Sequence, residues 1–365
     1  MLMSRTKRLI VVGVVAATCA LSHGCDKSAR PSAPRPTFSA TSKPAAGTIQ
    51  LNLLSKTYTY DLQASADGRW ASFDEATLDG MAPTLRIHLV NLTTGKVIDT
   101  EPNMGRCLLS PVGEKAALVR IGRSTILDLK TMKETEVPRQ GEPPAVLSEP
   151  GFWMGNKAIL VDMGPAQTHV GLGFYGLKSY DPADGKIAKL SSVGFPIASD
   201  AAGTTLLALV DTGAPQKPIV GDKKEATSYY LVCLDARGDI QKKVVCGESF
   251  KGSAVISPSG RWIAYDEKGG KDAIITILDI DTGVTASISA AAHPIGATDR
   301  GTVVLKQDRV GDDPNTPTAL KLLRSGKIVD FIDAACSATV AGDRLFYIVG
   351  GGDKAVLTSI DIPEN

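Results

Sequence analysis

Histidine is scarce in this chain of 365 residues, which contains only 4 of them. Three, His88, His169 and His293, lie beyond the first 25 residues, and none has a His or Cys partner at the spacing of a metal site. The sequence also lacks the Gly-x-Ser-x-Gly, P-loop and His-Glu-x-x-His motifs. It therefore predicts no metal site, no cofactor and no catalytic residue.

The chain also lacks a large net charge of either sign. Lys and Arg number 40 against 39 Asp and Glu, which gives a formal net charge of +1. A nucleic-acid-binding domain needs a basic face, so this balance argues against a nucleic-acid partner.

No apolar run is long enough to cross a membrane as a helix. The longest, Leu9–Leu21, falls short of the about 20 residues that a span requires, and it follows the positive residues Arg5, Lys7 and Arg8. This pattern predicts a signal segment over 1–25. Leu21-Ser22-His23-Gly24-Cys25 resembles a bacterial lipobox, although its Leu lies one residue too far from the Cys. The alternative is ordinary secretory cleavage after Ser22.

Residues 26–47 are rich in Pro, Ser, Ala and Thr and cannot form a core. We expect them to be a tether between a lipidated Cys25 and a domain over 48–365. This organisation predicts an exported protein on the periplasmic side of a bacterial membrane, anchored there by lipid only, or free in the periplasm. We expect a monomer.

A tight Gly turn followed at once by a short apolar run recurs seven times, at intervals of 41 to 57 residues. Each repeat adds a third apolar run, and in most repeats a second turn and a more polar fourth run follow. Such a period of short strands is typical of a β-propeller with one four-stranded blade per repeat. The seven turn glycines are Gly68, Gly113, Gly155, Gly203, Gly260, Gly301 and Gly342.

The last repeat ends before a fourth strand, and a strand-like segment, 48–54, precedes the first. Pairing this segment with the last blade would remove two exposed edges and close the ring. The sequence thus predicts an all-β fold, a seven-bladed β-propeller closed by an N-terminal strand. A six-bladed ring is the alternative if the third repeat is not a full blade.

The fifth repeat resembles a known family. Ile256–Tyr265 followed by Ile277–Gly283 is similar to the PD40 (TolB-type, WD40-like) repeat, and Ser65–Trp70 with Asn91–Gly95 is a looser copy. PD40 propellers include periplasmic binding proteins and non-catalytic domains of peptidases. The resemblance implies a fold and a compartment, and it implies no reaction.

The cysteines of the domain do not form a disulfide framework. Cys107 and Cys336 fall on inner strands separated by a blade, and Cys233 and Cys246 are offset along their hairpin. We interpret them as buried thiols.

Several polar groups have two interpretations. His88 lies in a strand pattern, which favours a packing or surface role, whereas His169 lies in the Gly-rich stretch 164–173 and is a candidate ligand contact. Asp279 and Asp281 fall in a repeated turn and are interpreted as turn formers. The acidic stretch 308–315 could bind Ca²⁺ but lacks the spaced ligands of an EF-hand, which favours a solvated loop.

The connections between the second and third strands of five blades are long, and in a propeller they share one face. This loop face is therefore the predicted binding surface for an envelope protein or a glycan, by a non-enzymatic binding or scaffold propeller. A propeller lyase or hydrolase acting on glycans is the alternative. Trp153 and Tyr175 are the aromatic residues that could reach its rim. The predicted partner-binding residues are His169, Lys217, Lys223, Lys224, Asp308, Asp312 and Asp313.

Overall fold

A computed structural model describes residues 47–51, 53, 57–77, 84–100, 105–120, 123–138, 147–165, 172–191, 195–211, 229–246, 253–266, 273–307 and 316–363. In these ranges the regular structure is 28 β-strands and one 3-10 turn, Gly352–Lys354. They contain no helix long and apolar enough to cross a membrane.

The strands form seven antiparallel sheets of four strands each. Blade 1 contains β2 (Thr57–Ala64), β3 (Trp70–Thr77), β4 (Thr84–Asn91) and β5 (Val97–Asp99). Blade 2 contains β6 (Arg106–Leu109), β7 (Lys115–Arg120), β8 (Arg123–Asp128) and β9 (Lys133–Glu136). Blade 3 contains β10 (Leu147–Met154), β11 (Lys157–Pro165), β12 (Leu172–Tyr180) and β13 (Ile187–Ser191).

Blade 4 contains β14 (Phe195–Ser199), β15 (Thr205–Asp211), β16 (Tyr229–Asp235) and β17 (Ile240–Cys246). Blade 5 contains β18 (Ala254–Ile256), β19 (Trp262–Asp266), β20 (Ile274–Asp279) and β21 (Thr285–Ser289). Blade 6 contains β22 (Ala292–Ala297), β23 (Val303–Gln307), β24 (Thr318–Arg324) and β25 (Lys327–Ala335). Blade 7 contains β26 (Ser337–Ala341), β27 (Arg344–Val349), β28 (Val356–Asp361) and the N-terminal β1 (Thr48–Gln50).

The four strands of each blade are called a, b, c and d, from the innermost to the outermost. Strand a of each blade contacts strand a of both neighbouring blades, so the seven blades form a closed ring. This confirms the seven-bladed propeller and removes the six-bladed alternative, because the third repeat is a full blade.

β1 closes the ring as predicted, since Thr48, Ile49 and Gln50 pair with Thr358, Leu357 and Val356 of β28. The pairing is shorter than the expected 48–54. One further hydrogen bond, Leu51 N–H to Ala355 C=O at 2.8 Å, extends it. Leu51 and Leu53 are buried in the cluster that joins blades 7 and 1, so the segment also supplies core.

Glycine at each turn between strands a and b has a left-handed backbone, with φ between 58° and 81° at all seven predicted positions. This conformation is costly for any residue with a Cβ, which explains why the repeat is visible in the sequence. The turn between strands c and d of blade 2 uses Met132 at φ 58° instead of glycine. Without a glycine, that turn escaped the sequence pattern.

The core lies between neighbouring blades rather than at the centre of the ring. Each middle strand is covered on both faces, as in β20, where five consecutive residues from Ile275 to Asp279 are buried. Buried residues therefore follow one another directly, without the alternation of buried and exposed residues that is typical of a sheet with one solvent-exposed face.

Cys107, Cys233 and Cys336 are buried free thiols, as predicted. The side chain of Cys246 lies outside the described residues.

Candidate functional site

The order of strands within each blade divides the propeller into two faces. The a–b and c–d turns open on one face, the turn face, and the b–c and d–a connections open on the other, the loop face. Rigid strands thus bring all connections of one kind to the same side of the ring, which is how many binding sites are built.

Turns on the turn face are fixed to their neighbours by hydrogen bonds. Ala66 N–H donates to Pro111 C=O at 2.7 Å between blades 1 and 2, and Ala201 N–H donates to Pro258 C=O at 2.9 Å between blades 4 and 5. Ser259 N–H donates to an Asp299 carboxylate oxygen at 2.8 Å between blades 5 and 6. These contacts make the turn face a tight, preorganised surface with short turns.

A further contact between neighbouring turns is an ion pair between blades 6 and 7, where Arg300 Nη2 lies 2.6 Å from Asp343 Oδ2.

Asp279 accepts hydrogen bonds from the N–H groups of Asp281 and Thr282, at 3.0 and 3.4 Å. Asp279 is therefore a turn former, as interpreted. Its Arg261 partner also lowers the pKa of this carboxyl.

The loop face is framed by strand ends that flank the predicted binding segments. β15 ends at Asp211 and β16 begins at Tyr229, and these ends bracket the stretch with the three candidate lysines. β23 ends at Gln307 and β24 begins at Thr318, on either side of the acidic stretch. The following predicted residues themselves lie outside the described residues: Cys25, His169, Lys217, Lys223, Lys224, Asp308, Asp312 and Asp313.

Blade 3 departs from the expected loop length. The Gly-rich stretch 164–173 was expected to be a loop, but Gly164 pairs with Gly173 and Pro165 with Leu172, so β11 and β12 extend into it. A bulge between Asp162 and Met163 accompanies this extension. Glycine permits strand pairing even though it does not favour it, which is why composition alone misplaced the loop.

Trp153, one of the two aromatic residues considered for the rim of the loop face, does not reach it. Its side chain is buried between blades 2 and 3, and its indole N–H donates to Leu108 C=O at 2.8 Å. The indole N–H thus has a hydrogen-bond acceptor on the inner strand of blade 2 and ties the two blades together. The side chain of Tyr175 lies outside the described residues.

A polar cluster inside blade 1 brings a histidine between two carboxylates. His88 on β4 lies 2.8 Å from Glu75 Oε2 through Nε2 and 2.8 Å from Asp99 Oδ1 through Nδ1. Phe73 stacks on its ring, with centroids 4.8 Å apart. The cluster joins strands b, c and d of the blade.

Hydrogen bonds and charges of Glu75 and Asp99 raise the pKa of His88 in spite of its burial, which by itself would lower it. The side chains of His88 and Glu75 are 5% and 2% exposed, so the pair is closed to a substrate. This confirms the packing interpretation of His88. Glu75 and Asp99 were missed, and only the cross-strand register that aligns them with His88 could have shown them.

Among the described residues, no group of three or more His, Cys, Asp or Glu side chains is arranged to hold a metal ion. The acidic stretch 308–315, for which a calcium site was considered, lies outside them.

No protein-family model matches the chain, and no curated protein matches it by sequence. Solved structures do resemble it. The β-propeller domain of the Trilobed protease from Pyrococcus furiosus gives a TM-score of 0.55 at 14% identity over 85% of this chain and 99% of that one. That domain has an open velcro topology, whereas β1 closes the ring here.

An oligogalacturonate lyase in complex with manganese gives a TM-score of 0.54 at 16% identity, over 88% of this chain and 92% of that one. The Pyrococcus horikoshii acylaminoacyl peptidase gives 0.53 at 14% identity and covers 86% of this chain but 53% of its own, so the match spans about half of that enzyme. At these identities the similarity shows the fold alone. The protein is a seven-bladed β-propeller, a fold used both for binding and in enzymes.

Proposed function

We propose that this protein is a non-enzymatic binding or scaffold propeller of the bacterial cell envelope, and that it captures an envelope protein or a glycan on its loop face. The observation that carries the proposal is the difference between the two faces. Short turns fixed by hydrogen bonds occupy the turn face, and the strands direct the long, charged connections to the other. A rigid scaffold with variable connections on one side suits recognition.

We further propose that the repeats are of the PD40 type and that the chain is exported and lipidated at Cys25, with residues 26–47 as the tether. The charged start, apolar run and lipobox-like Cys25 support this location. Metabolic labelling with palmitate tests it. Label is expected in the wild-type protein and not in Cys25→Ala, and equal labelling of both, or none in either, would refute the anchor.

Recognition rather than catalysis is supported by the chemistry of the described residues. The His88–Glu75 pair is buried within blade 1, and His88 holds strands of that blade together. Catalysis needs such groups within reach of a substrate. A surface for binding needs only shape and complementary charge.

A pull-down from envelope extract with residues 48–365, followed by a glycan array, tests the function. Capture of one defined protein or glycan class is expected, and it should be lost when the loop face is altered and retained when the turn face is altered. The turn-face control carries Asp184→Lys and Asp281→Lys, because both side chains are exposed in c–d turns. If capture is lost in the turn-face control and retained when the loop face is altered, the assignment of binding to the loop face is wrong.

The enzymatic alternative is tested in parallel. Oligogalacturonate, the substrate class named for the similar lyase, is incubated with the protein in the presence of manganese. No chain shortening is expected. Cleavage that survives removal of contaminating enzymes would replace the binding proposal by a glycan lyase.

A further inference from the structure

The outer edge of blade 5 differs chemically from the other outer edges of the ring. β21 reads Thr285-Ala286-Ser287-Ile288-Ser289, and the run from Val284 to Ala292 contains no charged residue and no proline. The outer strands β5, β9, β13, β17 and β25 each contain at least one charged residue, and β1 is only three residues long. Charged residues and short strands are the devices by which proteins protect exposed edges from pairing.

The ladder between β20 and β21 shows which backbone groups of this edge are free. Ala290 N–H donates to Ala273 C=O at 3.0 Å, and Asp279 N–H donates to Val284 C=O at 3.0 Å. Alternate residues of an antiparallel strand bond to the same neighbour, so Ala286 and Ile288 face β20. The N–H and C=O groups of Thr285, Ser287 and Ser289 point away from the sheet, and no described residue hydrogen-bonds to them.

Exposed apolar side chains flank β21 at both of its ends. Val284, immediately before β21, is 66% exposed, and Ile274, opposite Ser289 on β20, is 46% exposed. They are two of the five most exposed large apolar residues in the described part of the chain. Isolated exposed apolar residues are common, but their position around an uncharged free edge points to a partner.

We propose that β21 binds an extended, uncharged peptide segment of another protein, which adds as a fifth antiparallel strand to blade 5. Its backbone would pair with Thr285, Ser287 and Ser289. On one face its side chains would lie beside Ala286 and Ile288, and on the other beside the three hydroxyl residues. This mode of recognition derives affinity from the main chain and specificity from alternate side chains.

A single strand fits this edge better than a second folded copy of the chain. The five residues of β21 span about 17 Å. The outer strands lie on the convex wall of the ring, so two copies would touch only along this line. A stable interface between folded proteins buries about 1,200 Å² or more, which such a line cannot supply. An extended peptide needs only the ladder and its neighbouring side chains.

The test measures the binding of a fluorescent synthetic peptide to the full chain by fluorescence anisotropy. The peptide has the sequence Val284–Ala290 between Gly-Ser flanks. In antiparallel pairing centred on Ser287, this probe places apolar residues beside apolar ones and hydroxyls beside hydroxyls. Two versions are N-methylated, one at the residues equivalent to 285, 287 and 289 and the other at those equivalent to 286 and 288. Because a strand pairs through alternate residues, only one version should bind.

The matched protein variants are Ser287→Pro and Ser287→Ala. Both lose the 2.9 Å hydrogen bond between the Ser287 and Thr276 hydroxyls, but only proline removes the outward N–H, and neither change removes a backbone hydrogen bond to β20. Proline is expected to weaken peptide binding about tenfold relative to alanine. Thr285→Lys, which adds a protective charge, should act similarly if the proline variant does not fold.

Equal binding of the two methylated peptides, equal binding by Ser287→Pro and Ser287→Ala, or no binding at millimolar peptide would overturn the proposal. Sedimentation that shows a dimer of the Ser287→Ala variant but a monomer of the Ser287→Pro variant would also overturn it, because the partner at this edge would then be a second copy of the chain. Variants that reverse Lys223 and Lys224 of the loop face to glutamate serve as a separate control. They should alter envelope capture without altering peptide binding, so failure of the two proposals is distinguishable.

Discussion

At the scale of single residues, the geometry around His88 favours the charged form of its imidazole. Both ring nitrogens lie 2.8 Å from carboxylate oxygens, and a neutral imidazole carries only one N–H to donate. The cluster therefore holds an extra proton, which is consistent with the raised pKa of His88. Three strands of blade 1, including the three-residue β5, are connected through this one side chain.

Removing the imidazole should destabilise the propeller strongly. His88→Ala takes away the histidine partner of the buried Glu75 and the stacking on Phe73, which predicts a loss of about 3–5 kcal/mol in the free energy of unfolding. Chemical denaturation measures it. Adding Glu75→Gln should recover part of this loss, because the buried carboxylate that has lost its histidine partner becomes neutral. Strict additivity of the two changes would show that the residues are not coupled.

The same cluster predicts a pH dependence with a defined sign. The pKa of His88 is raised in the folded state above its ordinary value of 6.5. Its contribution to stability is thus complete below 6.5 and is lost as the pH rises through the folded pKa. The difference in unfolding free energy between the wild type and His88→Gln should shrink as the pH rises from 6.5 through the folded pKa. A difference that grows with pH would contradict the charged cluster.

At the scale of elements, the turn glycines serve two separate purposes, and a matched pair of substitutions distinguishes them. Gly95 and Gly203 both have φ +72°, but a Cβ at Gly95 would meet nothing within 4 Å, whereas one at Gly203 would lie 2.7 Å from the backbone nitrogen of Gly155 in blade 3. Gly95→Ala should cost about 1–2 kcal/mol for the backbone alone. Gly203→Ala should cost a further 1–3 kcal/mol, roughly, for the clash between blades. Equal melting temperatures of the two variants would show that blades 3 and 4 separate without cost.

Closure by β1 can be tested one hydrogen bond at a time. Because Leu51 N–H bonds to Ala355 C=O, the alternation of the ladder directs the N–H of Ile49 to β28 and that of Thr48 outward. Ile49→Pro should lower the melting temperature and promote aggregation through the exposed edge of β28, and Thr48→Pro should do neither. Light scattering during thermal unfolding compares them. If Ile49→Pro stays as soluble and as stable as Thr48→Pro, β1 does not hold the ring closed.

The sequence was sufficient to predict those elements whose backbone conformation favours one residue type, glycine. The seven a–b turns need a left-handed residue, so their glycines disclosed the number of blades, and the missing last strand disclosed the closure. Where the backbone tolerates other residues, the glycine pattern did not predict the structure. Met132 occupies a left-handed turn position without being glycine, and Gly164 and Gly173 pair in a hairpin that their composition does not favour.

At the scale of the whole molecule, the sequence predicted which face carries the long connections, because topology follows from the strand order. It could not predict the cluster of Glu75, His88 and Asp99, because that depends on the exact register of three strands. Nor could it show that Trp153 is buried, since the indole bonds to a blade 45 residues away in sequence. Contacts across strands and blades carry no local signature.

The two faces predict how charge should act on partner capture. Lys223 and Lys224 belong to the connection that starts and ends on the loop face, at Asp211 and Tyr229, and the acidic connection of blade 6 opens on the same side. Opposite charges on separate connections suit a polar protein partner better than a uniform polyanion. Reversing both lysines to glutamate should weaken capture roughly tenfold at low salt and reduce its salt dependence, because exposed charges are screened by ions.

The melting temperature of this double variant is expected to stay unchanged, since charge reversals in a long connection contribute little to stability. Capture is measured at several salt concentrations against the Asp184→Lys, Asp281→Lys control, whose changes lie on the turn face. Normal capture by the lysine variant together with its loss in that control would move the binding surface to the turn face. The short, hydrogen-bonded turns there would then have to recognise the partner through the rigid surface that they form, with no adaptable connection contributing.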